Sequence, residues 1–164
     1  MRRVVLEPLT PKAFAPFGEV LTRPVQGRTY FDRALSNARP LAAPSVSIAV
    51  IEDVARLPFT ASQMERHQFS SQTFIPLDAS RWIVAVAPHA EEGGPETQHL
   101  RAFLAEADQG ITYSADVWHH PLTVLEQPAT FAVLMWRDGT SADEDFVTLA
   151  EPIRFETQNI EEKT

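Results

Sequence analysis

The sequence predicts an all-β fold, a sandwich or barrel with one or two short helices, on three observations. Short apolar or alternating runs of strand length recur at fairly even spacing along the 164 residues. The 13 prolines fall at the boundaries of those runs. Only one stretch carries a convincing helix start. No internal repeat or composition shift divides the chain, so a single domain over 1–164 is expected, with 157–164 as a flexible tail.

Taken in order, Arg2 to Leu6 reads as a strand. Thr10 can cap a turn or two of helix that begins at Pro11 and ends at Gly18. Glu19 to Thr22 is extended, and Arg23 to Pro44 is a long loop rich in Pro, Arg, Asn and Gly; Arg33 and Arg39 within it are weak ligand candidates. Ser45 to Ile51 alternates as a strand, Glu65 to Phe69 follows a polar turn, and Thr73 to Leu77 comes next. Trp82 to Ala87 is a continuous apolar run of strand length, and Pro88 to Thr97 a flexible acidic loop. Leu100 to Ala105 and Leu122 to Leu125 are short strands. Thr130 to Arg137 is the strongest strand, closed by a turn at Asp138-Gly139, while Asp145 to Leu149 and Ile153 to Phe155 read as edge strands.

Composition narrows the chemistry. A formal net charge of −8 argues against a nucleic-acid partner. No run reaches the length of a membrane span and the start lacks a signal-peptide core, so a cytoplasmic location is expected. Without cysteine, thiol nucleophiles, thiolate metal sites and disulfides are excluded. The only lysines, Lys12 and Lys163, sit near the chain ends, which argues against a Schiff base or an organic cofactor held by one. Any catalysis falls to His, Asp, Glu, Arg, Tyr and hydroxyls, with or without a metal held by N and O donors.

Two stretches carry that chemistry. The first, Gln109 to Leu122, brings Tyr113, Asp116, Trp118 and the adjacent His119 and His120 into a segment that otherwise reads as strand. Alternation sends the two imidazoles to opposite faces, one inward and one outward or toward a second layer, unless Pro121 forces a bulge. The second stretch is Met64 to Pro76. Glu65 and His67 share a strand face, and Gln72 begins the next strand after Ser70-Ser71. The spacing Glu65-x-His67-x4-Gln72, then a distant His119, resembles the ligand frame of cupin barrels, where His-x-His-x4-Glu precedes a later His. Glu65, His67, Gln72 and His119 either ligate a divalent metal through N and O atoms or form hydrogen bonds in a barrel mouth.

Taken together, Glu65-Arg66-His67, Gln72 to Pro76, Leu100 to Phe103, Gly110 to Tyr113 and Val117 to Leu122 resemble, in order and spacing, the ureidoglycolate lyase family of allantoin degradation. The resemblance implies a cupin-like jelly-roll β-barrel, a homodimer, and cleavage of (S)-ureidoglycolate to glyoxylate and urea, with stimulation by Ni2+. The chain departs from the family pattern at Val50, Ser114, Asp116 and Trp136. That reaction needs a base for the substrate hydroxyl and an acid for the departing urea nitrogen. His67 and His119 are the candidates for base and acid, with Glu65 as acid or orienting group and His120 as a further catalytic candidate. For the small-molecule substrate, the carboxylate wants Arg101, Arg137 or the Ser71-Gln72 amides, while Phe74, Tyr113 and Trp118 wall the pocket. Two alternatives are a metal-dependent cupin isomerase or dioxygenase for another small hydroxy or keto acid, and a non-catalytic small-acid-binding barrel.

Overall fold

The computed structural model describes residues 1–158. Fourteen strands form a nine-stranded and a five-stranded sheet. In chain order they are β1 (Arg2–Val5), β2 (Glu7–Pro8), β3 (Gly18–Leu21), β4 (Ala43–Ile51), β5 (Val54–Ala55), β6 (Phe59–Arg66), β7 (Gln72–Asp78) and β8 (Trp82–Ala87), then β9 (Arg101–Ala105), β10 (Gly110–Tyr113), β11 (Trp118–His119), β12 (Thr123–Leu125), β13 (Ala129–Arg137) and β14 (Asp145–Glu156). The one α-helix, α1 (Pro11–Phe14), is capped by the Thr10 hydroxyl, which accepts from the Ala13 N–H. No helix among the described residues is long and apolar enough to cross a membrane.

The smaller sheet runs β3-β10-β7-β13-β4, and the larger runs β1-β14-β6-β11-β8-β12-β5 with β9 between β8 and β2. The all-β expectation therefore holds, as a cupin-like barrel of two facing sheets. Between them lies the main core, where Trp82, Val84, Val86 and Phe103 meet Phe74, Ile111, Tyr113 and Phe131, with Phe14 of α1 packed in. The opposite face of β8, with Ile83, Ala85 and Ala87, is buried against Val4, Ala61, Met64, Ile153 and Phe155, because β1, β14 and β6 cover the back of their own sheet. All six residues of β8 are buried, which explains a strand without polar alternation.

Several expected boundaries move. Gly18 does not end the helix but opens β3, where a Cβ would lie 1.9 Å from the Thr112 carbonyl oxygen. The two expected C-terminal edge strands are one twelve-residue strand, β14, paired to both β1 and β6 and interrupted by a register shift between Thr148 and Ile153. The prolines do not all mark boundaries: Pro76 lies within β7 and Pro152 within β14. Of the expected tail, Thr157 and Gln158 follow β14 and the rest lies outside the described residues.

Candidate active site

Backbone register assembles the site. Glu65 of β6 is the direct cross-strand partner of His119 in β11, so the two side chains share a face. His67, two residues beyond Glu65, follows them by alternation. Met64 and Arg66 go to the other face, Met64 into the second core and the Arg66 guanidinium 4.8 Å over the Trp118 ring. The result is a group of Glu65, His67 and His119 whose donor atoms all lie within 4.8 Å of one another.

Each imidazole is oriented by its Nδ1. His67 Nδ1–H donates to the Asp143 carbonyl at 2.8 Å, and His119 Nδ1–H donates to the Val117 carbonyl at 2.9 Å. With Nδ1 as donor, both Nε2 atoms carry lone pairs, and both are buried without a hydrogen-bond partner. His119 Nε2 lies 3.3 Å from Glu65 Oε1. A lone pair facing a carboxylate at that distance is repulsive unless a proton or a metal cation stands between them. Orphaned imidazole nitrogens converging on a carboxylate therefore fit a divalent cation held by Glu65 Oε1, His67 Nε2 and His119 Nε2.

Electrostatics follow from burial and neighbours. For Glu65, burial pushes the carboxyl up, but His119, which donates across the 3.3 Å gap once its Nε2 is protonated, and the charges of protonated His67 and His120 outweigh it and hold the group below its ordinary value. The carboxyl is therefore ionised at neutral pH, which argues against its role as acid and for one as orienting group or ligand. His67 is lowered, chiefly by burial and then by His119. The Tyr113 ring stacks on His119 at 4.0 Å with planes 13° apart, and burial first, then the Glu65 charge, raises its hydroxyl pKa so that it stays neutral.

The other expected site residues divide. Gln72 is buried, pairs with Tyr113 and Met135, and leaves Oε1 without a partner, so it reaches the interior near Tyr113. Arg137 is half exposed at the end of β13, its Nε 3.7 Å from the Asp143 carboxylate. The remainder are corrections. His120 turns away from His119 into the second layer, where its Nδ1–H donates to the Gln63 carbonyl and its ring packs beside Phe59 and Phe155; burial lowers its pKa. Trp118 shares that outer face by alternation and donates to His89 Nδ1, so it does not wall the cavity. Phe74 is a core residue, edge-on to Tyr113, Trp82 and Phe131. The Arg101 guanidinium is committed to both Glu7 oxygens and the Ala13 carbonyl. The Ser71 N–H donates to the Ser36 carbonyl, so that amide is spent on the long loop.

The sequence did not point to Asp143, whose carbonyl holds His67, nor to the link made by the exposed His89. His89 Nε2–H donates to the Asp116 carbonyl at 2.7 Å, while Asp116, at φ 69°, uses its own N–H to hold the His67 carbonyl. Neither link leaves a spacing signal, because each joins distant segments through backbone atoms.

Comparison with known proteins follows the same lines. The ureidoglycolate lyase family model matches residues 1–156. The ureidoglycolate lyase of Stutzerimonas stutzeri is 33% identical over 98% of this chain and 99% of that protein. The ureidoglycolate lyase of Brucella anthropi is 39% identical over 80% of this chain and 81% of that one. Among solved structures, a dTDP sugar isomerase from Desulfovibrio desulfuricans G20 superposes with a TM-score of 0.49 at 12% identity, covering 82% of this chain and 83% of that chain.

Proposed function

The chain belongs to the ureidoglycolate lyase family, and from that premise we propose that it cleaves (S)-ureidoglycolate to glyoxylate and urea in allantoin breakdown. The observation that carries the reading is the buried Glu65–His67–His119 group, a proton acceptor and a proton donor side by side. The substrate carries a hydroxyl, a carboxylate and a ureido nitrogen on one carbon. Cleavage removes the hydroxyl proton, forms the glyoxylate C=O, breaks the C–N bond and returns a proton to the urea nitrogen.

His67 Nε2 is the base: its lone pair is free because Nδ1–H is held by Asp143. His119 is the acid in its doubly protonated form: Nδ1–H stays on the Val117 carbonyl, the ionised Glu65 carboxylate 3.3 Å from Nε2 favours the added proton there, and that proton passes to the leaving nitrogen. Gln72 Oε1, buried without a partner, is available to a substrate N–H, and Arg137 to the carboxylate. In place of those proton-transfer roles, Glu65, His67 and His119 would hold a divalent cation, Ni2+ by family resemblance, which would supply a Lewis acid for the substrate oxygens. Membership of the ureidoglycolate lyase family favours this reading over the isomerase, dioxygenase and non-catalytic ones.

Colorimetric release of urea and glyoxylate from purified protein, with and without chelator, tests it. Turnover that survives chelation supports acid–base work by the histidines alone. Loss that Ni2+ restores assigns the same residues to a metal. No product under either condition would sink the lyase reading.

A further inference from the structure

The turn after β13 is tied to the long loop by a largely buried ion-pair network, which Arg137 borders with its Nε 3.7 Å from the Asp143 carboxylate. Arg39, from the loop, reaches Asp143 Oδ1 at 2.7 Å and Asp138 Oδ2 at 3.0 Å, donates to the Trp136 carbonyl at 3.4 Å, and lies 5.7 Å over the Phe69 ring. Both the Arg39 and the Asp143 side chains are largely buried, at 13% and 7% exposed. The Asp143 carboxylate also accepts from the Asp138 and Gly139 N–H groups at 3.0 and 2.8 Å. These contacts leave the Asp143 backbone little freedom, and its carbonyl is the one that accepts His67 Nδ1–H at 2.8 Å.

We propose that Arg39 and Asp143 are positioning residues for His67: their ion pair fixes the Asp143 carbonyl, and that carbonyl fixes the imidazole in the tautomer that turns the Nε2 lone pair toward Glu65 and His119. The importance of the tautomer for turnover rests on the lyase reading; the control of the ring does not. Arg39 grips the support from both sides, through the turn that carries the carbonyl and through Phe69, two residues past His67. A ring nitrogen held by a fixed outer acceptor is how imidazole ligands and bases are ordinarily kept in one orientation. Here the acceptor is a main-chain oxygen, so the side chains that hold the main chain take that role.

The test uses the metal-free full chain with 15N-labelled histidine, whose five rings are few enough to resolve. Wild type should show His67 as a single Nδ1–H tautomer. Asp143→Asn and Arg39→Gln, folded as judged by the unchanged signals of the other rings, should show His67 exchanging between tautomers. If wild type turns over ureidoglycolate, kcat should fall by about tenfold or more in both variants while KM moves less than about threefold. Arg39→Lys, whose single ammonium cannot span Asp143, Asp138 and the Trp136 carbonyl, should show the same mixing and decides the matter if the other variants do not fold. A His67 ring that keeps one tautomer in the folded variants overturns the proposal. A wild type without lyase activity but with the expected tautomer shift overturns only the lyase reading.

Discussion

At the residue scale, the site depends on which nitrogen of each imidazole is spent on the backbone. His119→Asn and His67→Asn each remove an Nε2, and a loss in kcat of about 100-fold or more is expected with thermal stability nearly kept, read by steady-state urea release and a melting curve. His120→Asn, on the far face, should leave kcat within about threefold while costing stability, since a buried ring packed against Phe59 and Phe155 is lost. Asp143 gives a prediction in pH. Burial raises its carboxyl, but the Asp138 N–H, the Arg39 guanidinium and the Gly139 N–H outweigh that and hold it at about 2, below its ordinary 3.8. A carboxylate depressed on folding contributes stability above the unfolded value and loses it as pH falls through the folded one. The gap in melting temperature between wild type and Asp143→Asn should therefore be full at pH 5 and narrow steadily from pH 4 toward 2.

At the scale of elements, strands set the geometry through alternation and register, and alternation was the part legible in the sequence. The two-residue spacing of Glu65 and His67 and the strand reading around His119 gave their shared inward face, and alternation placed the paired imidazoles on opposite sides. Trp118 follows the same rule, and assigning it to the cavity alongside His119 contradicted it. Arg101 and Ser71 were not legible, because their commitments to Glu7 and Ser36 join segments far apart in sequence. Nor was Gly18, read as a helix end. Its true constraint is the close approach of β3 to β10, where Gly18 pairs with Tyr113, the residue stacked on His119. Gly18→Ala should force the two strands apart, costing about 2–4 kcal/mol in denaturant unfolding and lowering kcat through Tyr113.

At the scale of the whole molecule, the outer face of the smaller sheet is unusually apolar. Val46, Ile48 and Val50 of β4 and Ile75 and Leu77 of β7 are exposed at 43 to 72%, and Ile48 and Ile75 flank Ala132 in one row. β4 is also an edge strand with no charged residue among its nine. Edges of this kind are ordinarily blunted by charge or covered, which supports the homodimer proposed from family resemblance. Light scattering should give about twice 18.3 kDa, and Ile48→Asp should return the monomer mass. A wild-type mass of one chain at all concentrations would remove the dimer.

The short strand β11, with Trp118 and His119, and the His120 that follows it have a consequence for how such a chain can vary. Their rings point alternately, so deleting or inserting one residue in the 114–117 connection would turn the ribbon over. Indole and the neighbouring imidazole would then enter the space opposite Glu65, and the present proton donor would be exiled to the outer layer. Natural or designed length changes in that connection should therefore come in pairs of residues, a pattern that sequencing of functional libraries can count.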